Sequence, residues 1–397
     1  MKKGNVLSPM LLTFFRQYVE IDTSHPSGVN YPKTINLINN YVKGFGFETE
    51  TVKIPEKLIG KKNRIHLIAR KFLKSSLPTL IMYNHIDTVP ADYPSSHKFK
   101  IVKDKAYGRG TSDHKGSTVA VLSALESLKV SKFKGLRFNL VFLATTDEET
   151  NQKAQLKYLT PKLNLPKDTI IFDPDTFAGG VTNAHLGVLM FELIIKGKSV
   201  HSGMSHLGKN AIEESTNLLH FFSEIKKEYE SQVSKYPTFK SSGLSNLCSR
   251  CNVNRIAGGI ANNVVPDKCV MTIDCRYIPE ADAVKEREKL YARIKKFCQK
   301  EKINFEIKDI VMIEGYATEH PLMYELNKIY KKYAGESGIY GTLGSTEVSE
   351  WTRKLKLPHF GIGTIRTDTN THGVNEFAYL KDIENLSLTM QDFLTKS

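Results

Sequence analysis

The sequence predicts an α/β protein, with a doubly wound, mainly parallel sheet interrupted by an inserted ferredoxin-like βαββαβ unit. Three observations carry this: helix and strand patterns alternate through the first part of the chain, the order of elements changes near Asn183, and the alternating pattern resumes at Pro321. Apolar residues at helical spacing predict helices over 7–21 and 31–44, and β-branched runs predict strands over 49–54, 64–71 and 79–83. A helix over 115–128 places Val119, Leu122, Leu125 and Leu128 on one side, followed by a buried strand over 137–144 and a short one over 169–172. Within the insertion the pattern reads strand 187–195, helix 209–225, strands 251–257 and 268–278, helix 281–300 and strand 304–311, a split βαβ order. A strand over 358–362 and a helix over 380–394 close the chain. The expected domains are a discontinuous one, 1–182 with 313–397, and an inserted one, 183–312.

At 397 residues the chain is long enough for two cores, and 40% hydrophobic with 25% charged residues is a globular balance. The apolar run from Met10 to Phe15 is too short for a signal sequence and ends in Arg16-Gln17, and no apolar stretch reaches membrane-spanning length. These features predict a cytoplasmic protein with no membrane partner. Five cysteines, an odd number, fit a reducing compartment. Cys248-Ser249-Arg250-Cys251 lacks the second pair that a zinc site needs. The net charge of +14 comes from dispersed lysines on solvent faces, as in Lys285-Glu286-Arg287-Glu288-Lys289, with no nucleic-acid-binding signature. No nucleic-acid partner is expected; the field favours the approach of anionic substrates.

The chemistry concentrates in five places, most of them just after a predicted strand. His85-Ile86-Asp87 follows Leu80-Ile81-Met82, Asp147-Glu148-Glu149 follows Leu140-Val141-Phe142-Leu143, and Asp173-Pro174 follows Ile170-Ile171-Phe172. Open α/β sheets bind ligands beyond the carboxyl ends of their strands, so residues far apart in sequence converge there. Asp87 is placed to accept the second N–H of the His85 imidazole and fix its tautomer. Asp113, at the end of Gly108-Arg109-Gly110-Thr111-Ser112, stands where a helix N-cap would also put an aspartate. Three consecutive carboxylates at 147–149 repel one another and call for compensation by metal or by solvent. His372 lies in a glycine-containing loop before the last helix.

Together these motifs resemble the zinc amidohydrolases that include succinyl-diaminopimelate desuccinylase, acetylornithine deacetylase, carboxypeptidase G, aminoacylase and several dipeptidases. The resemblance covers essentially the whole chain. It implies two Zn²⁺ per subunit, with Co²⁺ or Mn²⁺ as substitutes: His85, Asp113 and Asp173 on one, Asp113, Glu149 and His372 on the other, Asp113 bridging. The implied catalytic set is Glu148 as general base, Asp87, and His201, in Gly197-Lys198-Ser199-Val200-His201-Ser202, as the lid histidine of a homodimer that stabilises the oxyanion in the partner's site. Asn263, Arg276, Gly344 and Ser345 match the segments that line the substrate pocket, with Arg276 gripping a carboxylate. A cis peptide after Asp113 is also implied. Asn84, His114 and Ser117 depart from the usual residues and bear on substrate rather than catalysis. Aspartate at 173 leans towards peptide substrates; the chain length, the short lid and Arg276 in a basic field lean further towards an N-acyl amino acid. Deacylation is therefore the expected reaction, with dipeptidase or aminopeptidase activity as the alternative.

Overall fold

The computed structural model describes residues 7–91, 93–150 and 153–395. The chain groups into two units, the first formed by the segments up to Asn183, Thr318–Tyr340 and from Trp351 onward, the second by Ala184–Ala317 and Gly341–Glu350.

The first unit is built on a six-stranded sheet in the order Glu48–Lys53, Ile65–Lys71, Asn139–Thr145, Thr79–His85, Thr169–Phe172, His359–Phe360. The last four run parallel and the first two pair antiparallel, so the sheet is mainly parallel. The two central strands, TLIMYNH and NLVFLAT, are buried at every position. That explains their apolar centres, Leu80-Ile81-Met82 and Leu140-Val141-Phe142-Leu143, since helices cover both faces of such strands. Their register sets His85 opposite Thr145, so His85 and the loop after Thr145 leave the sheet at one level. The helix Gly116–Val130 is buried on all sides from Gly116 to Leu125 and packs against the closing helix Leu380–Leu394. Its predicted first residue, Lys115, instead ends a tight turn, Thr111–Lys115, in which Asp113 and His114 have non-helical dihedrals.

The second unit is a four-stranded antiparallel sheet in the order Arg250–Gly258, Lys268–Tyr277, Gly187–Lys196, Asn304–Ile313. With helices Ala211–Ser231 and Ala283–Lys300 this is the βαββαβ topology, extended by a small hairpin, Val233–Pro237 with Asn246–Cys248. All five cysteines are buried and unbridged, and Cys251 faces Cys275 across the sheet with sulfurs 3.1 Å apart. The boundaries differ from those read in the sequence. Tyr316 and Ala317 pair with His185 and Ala184, which carries the second unit past residue 312. Leu186 donates its N–H to the Gly344 carbonyl, which draws 341–350 into the same unit. Among the described residues no helix is long and apolar enough to cross a membrane.

Candidate metal centre

His85, Asp113, Glu149 and His372 converge in the first unit beyond the carboxyl ends of the parallel strands. Asp113 is the hinge of the cluster. Its Oδ1 lies 3.2 Å from His85 Nε2, and its Oδ2 lies 2.9 Å from His372 Nε2. Glu149 Oε2 completes one side at 3.3 Å from His372 Nε2, while its Oε1 accepts the Val89 N–H at 3.2 Å. Asp175 Oδ2 completes the other side at 3.5 Å from His85 Nε2. Two donor groups result, His85 with Asp175 and His114, and Asp113 with Glu149 and His372, the donor atoms of each lying within 4.8 Å of one another.

The electrostatics follow from packing acids and imidazoles out of water. Burial works against a charged His85, but the carboxylates of Asp113, Asp175 and Asp87 outweigh it and raise its pKa well above the ordinary value. Hydrogen bonds to Asp113 and then Glu149 push His372 up to about 10. For Asp113, burial is overcome by the hydrogen bond with His372 and by the nearby His85 imidazole, which hold its carboxyl far below the usual range. Burial and the Asp113 charge push Glu149 up to about 7 and Asp175 to about 6. Such a crowd of acids calls for countercharge. His85 Nε2 is buried and makes no hydrogen bond, although carboxylate oxygens flank it. Imidazole nitrogens and carboxylate oxygens are the donors of zinc, cobalt and manganese sites. The residues present fit two such cations, and Asp113 would offer one oxygen to each.

Neighbouring groups aim these donors. Asp87, buried, accepts the Glu148 N–H on Oδ1 at 3.1 Å and the Glu149 N–H on Oδ2 at 3.0 Å. The nearest partner of His85 Nδ1 is the Asp87 carbonyl oxygen at 3.1 Å; the Asp87 carboxylate is 3.6 Å away. Asp87 therefore positions the loop at 148–149 as well as the His85 ring. The run of three acids is resolved by turning Asp147 inward, at φ 64°, onto Arg64. Arg64 Nε and Nη2 donate to its two oxygens at 2.7 and 2.8 Å, and Gln155 Nε2 adds a bond of 2.8 Å. A lone arginine before a strand gave no sign of this in the sequence.

Asp173 has partners of its own. Its Oδ2 lies 3.0 Å from His359 Nε2 and its Oδ1 accepts the Asp175 N–H at 3.0 Å. Both oxygens thus have partners other than His85, and Asp175, two residues on, places a carboxylate 3.5 Å from that ring. The sequence signal for Asp175 was present in Asp173-Pro174-Asp175 but did not say which acid turns towards the histidine. His114 stands close without being oriented as a donor. Its ring stacks on His85 with centroids 4.4 Å and planes 4° apart, so a cation in the plane of one ring lies outside the plane of the other. Its Nε2 accepts the His85 N–H at 2.9 Å. The Asp113–His114 peptide is cis.

The second unit holds the remaining candidates. His201 is exposed, and its Nδ1 accepts the Gly203 N–H at 3.1 Å, so the neutral ring carries its proton on Nε2. Ser202 N–H donates to the Asn263 carbonyl at 2.9 Å, which sets His201 and exposed Asn263 side by side. Arg276 is clamped by Asp274, Nε to Oδ1 at 2.8 Å and Nη2 to Oδ2 at 3.0 Å, with Nη1 3.4 Å from Ser345 Oγ. Gly344 N–H is held by Thr342 Oγ1 at 3.3 Å.

Comparison with known proteins shows the family and the fold. The model of peptidase family M20/M25/M40 matches residues 81–396. The chain is 29% identical to the acetylornithine deacetylase of Photorhabdus laumondii over 289 residues, 69% of each protein. It is 23% identical to the succinyl-diaminopimelate desuccinylase of Ehrlichia canis over 376 residues, 91% of this chain and 92% of that one. The structure of the dipeptidase Dug1p from Saccharomyces cerevisiae superposes with a TM-score of 0.78 at 16% identity, over 98% of this chain and 95% of that one, which shows a common fold. The chain belongs to peptidase family M20/M25/M40 and is a hydrolase of amide or peptide bonds.

Proposed function

We propose that this protein removes the acyl group from a small N-acyl amino acid, using two zinc ions held by His85, Asp113 and Asp175 on one side and Asp113, Glu149 and His372 on the other. The carrying observation is Asp113, whose two oxygens face two separate imidazoles at 3.2 and 2.9 Å. When bound, the cations lower the pKa of a water and polarise the scissile carbonyl. Glu148 takes the proton from the attacking water and passes it to the leaving amine, its backbone anchored on Asp87. His201, a donor through Nε2, stabilises the oxyanion in a partner subunit's site, and Arg276 binds the substrate carboxylate, with Asn263, Gly344 and Ser345 beside it.

The deacylase reading is supported by the names of the relatives in sequence, an acetylornithine deacetylase and a succinyl-diaminopimelate desuccinylase. Dipeptide hydrolysis is the second reading, favoured by aspartate at 173, where the deacylases of the resemblance carry glutamate. A homodimer through the second unit is supported by its edge strand, Arg250–Gly258, whose last five residues are exposed. Exposed Ile212, Ile256 and Ile260 lie on or beside that edge, a surface that another chain's strand or helix would cover.

A substrate panel with zinc or cobalt supplied tests the reading: N-acetylornithine, N-succinyl-diaminopimelate, N-acetylated common amino acids and unblocked dipeptides. Hydrolysis of the acylated compounds is expected; turnover of unblocked dipeptides alone transfers the assignment to the second reading. A fully active monomer in light scattering excludes the shared His201.

A further inference from the structure

Two of the metal-side residues, Asp113 and His372, come from loops 259 residues apart in sequence, and something must hold those loops in register. The His372 loop ends at Glu376, which is buried at 3% exposure. Its side chain crosses to the Asp113 loop and uses both oxygens there. Oε2 accepts the Gly110 N–H at 2.8 Å, and Oε1 accepts the Ser112 N–H at 2.9 Å and the Asp113 N–H at 3.1 Å. Arg109, also buried, adds Nη1 to Oε2 at 2.8 Å and reaches the His372 carbonyl with Nη2 at 3.4 Å. The Glu376 carbonyl accepts the Gly108 N–H at 3.0 Å. A second tie runs from Ser112 Oγ to Thr369 Oγ1 and Thr371 Oγ1, at 2.8 and 3.1 Å.

We infer that Glu376 is a positioning residue that staples the Asp113 loop to the His372 loop and so sets the geometry of the bridging carboxylate before any cation arrives. The inference rests on the metal centre proposed above and deepens it. A turn whose N–H groups converge on one carboxylate is rigid in the way an anion nest is rigid. Gly110, at φ 84°, takes the left-handed conformation that the turn requires, and a Cβ there would meet Thr88 at 2.7 Å. The residue before Glu376 is also left-handed, Asn375 at φ 57°, as is His372 at φ 63°. The staple therefore joins two sharply bent loops. The opposite order, in which the cation draws the loops together, would leave a buried carboxylate without donors in the metal-free protein.

Glu376→Gln tests this, because an amide nitrogen can accept nothing: one half of the staple becomes donor facing donor. The full-length protein is stripped with chelator and titrated with Zn²⁺ or Co²⁺. The variant is expected to bind the ion about 10–100-fold more weakly, the range for partners that orient ligands. The visible spectrum of the Co²⁺ form should change, and most of the lost activity should return at saturating metal with KM near the parent value. Glu376→Asp, which keeps the charge on a shorter arm, should recover part of the affinity. Parent-like affinity and spectrum in folded Glu376→Gln overturn the proposal. If that variant is recovered unfolded, amide exchange in the metal-stripped parent decides. Protected N–H groups at Gly110, Ser112 and Asp113 support the staple, and exchange at the rate of unstructured peptide overturns it. A parent that binds no metal at all refutes the metal centre, while the exchange measurement still decides on the staple.

Discussion

Arg64 and Asp147 meet through two parallel hydrogen bonds, Nε to Oδ2 at 2.7 Å and Nη2 to Oδ1 at 2.8 Å, with both side chains buried. The pair removes one of three adjacent negative charges from the site and fixes the turn from which Glu148 and Glu149 project. Arg64→Ala leaves a buried carboxylate without its partner, and such losses cost about 3–5 kcal/mol. Urea denaturation should show that loss, and Arg64→Ala combined with Asp147→Ala should be less destabilised than the sum of the single changes. Additive effects would show that the two residues do not act as a pair.

Glu148→Ala should keep both metal ions and lose about 10²–10⁴ in kcat, the usual contribution of a positioned base. Metal content by elemental analysis and turnover on the best substrate of the panel give the answer together. Near-parental kcat with full metal content removes Glu148 from its proposed role.

Asp175→Ala should lower the bound metal from two ions towards one, whereas Asp173→Asn should keep two ions and lose stability instead. The difference follows from the partners: Asp173 is bonded to His359 and to the Asp175 N–H, and Asp175 faces His85. Equal metal loss in both variants would contradict this division.

His66 gives a pH dependence remote from substrate. It is fully buried, accepts the Thr146 N–H on Nδ1 at 3.3 Å, and burial lowers its pKa to about 4. The unfolded chain protonates this histidine near the ordinary value of about 6.5. Between these values the unfolded state holds the extra proton, so stability falls as pH drops through that window, by on the order of 3 kcal/mol. His66→Leu should flatten the slope of unfolding free energy between about pH 6.5 and 4, whatever it does to the absolute level. An unchanged slope assigns the acid sensitivity elsewhere.

Arg276→Ala should raise KM several-fold for substrates with a free carboxylate and leave kcat little changed. Asp274 already occupies Nε and Nη2, so the contact left for a substrate is made mainly through Nη1, near Ser345. Loss of kcat without a change in KM would point to a role in the chemical step.

The central strands were legible from local pattern, and the set of His85, Asp113, Glu149 and His372 from its motifs taken together and the family they resemble. An apolar run of strand length predicts a buried strand, and a metal-friendly side chain at its carboxyl end predicts a shared crevice. The different surroundings of Asp173 and Asp175 were not legible, because the first acid is engaged by His359, 186 residues away in sequence. Nor was the inward turn of Asp147, which depends on Arg64, 83 residues away. The placement of Gly344 and Ser345 in the second unit depends on the bond from Leu186 N–H to the Gly344 carbonyl, a pairing with no signature in either segment.

The grouping of the chain into two units has a consequence for how the protein changes over time. Every proposed metal donor belongs to the first unit, whereas Asn263, Arg276, Gly344, Ser345 and His201 all belong to the second. On that proposal, substitutions that retune which molecule is recognised would draw on the stability of one hydrophobic core, and those at the metal donors on the other. Specificity would then drift through destabilising intermediates while the core that carries the proposed metal donors stays at full strength. A graft of Ala184–Ala317 together with Gly341–Glu350 from a relative with another substrate is the smallest exchange that respects this division.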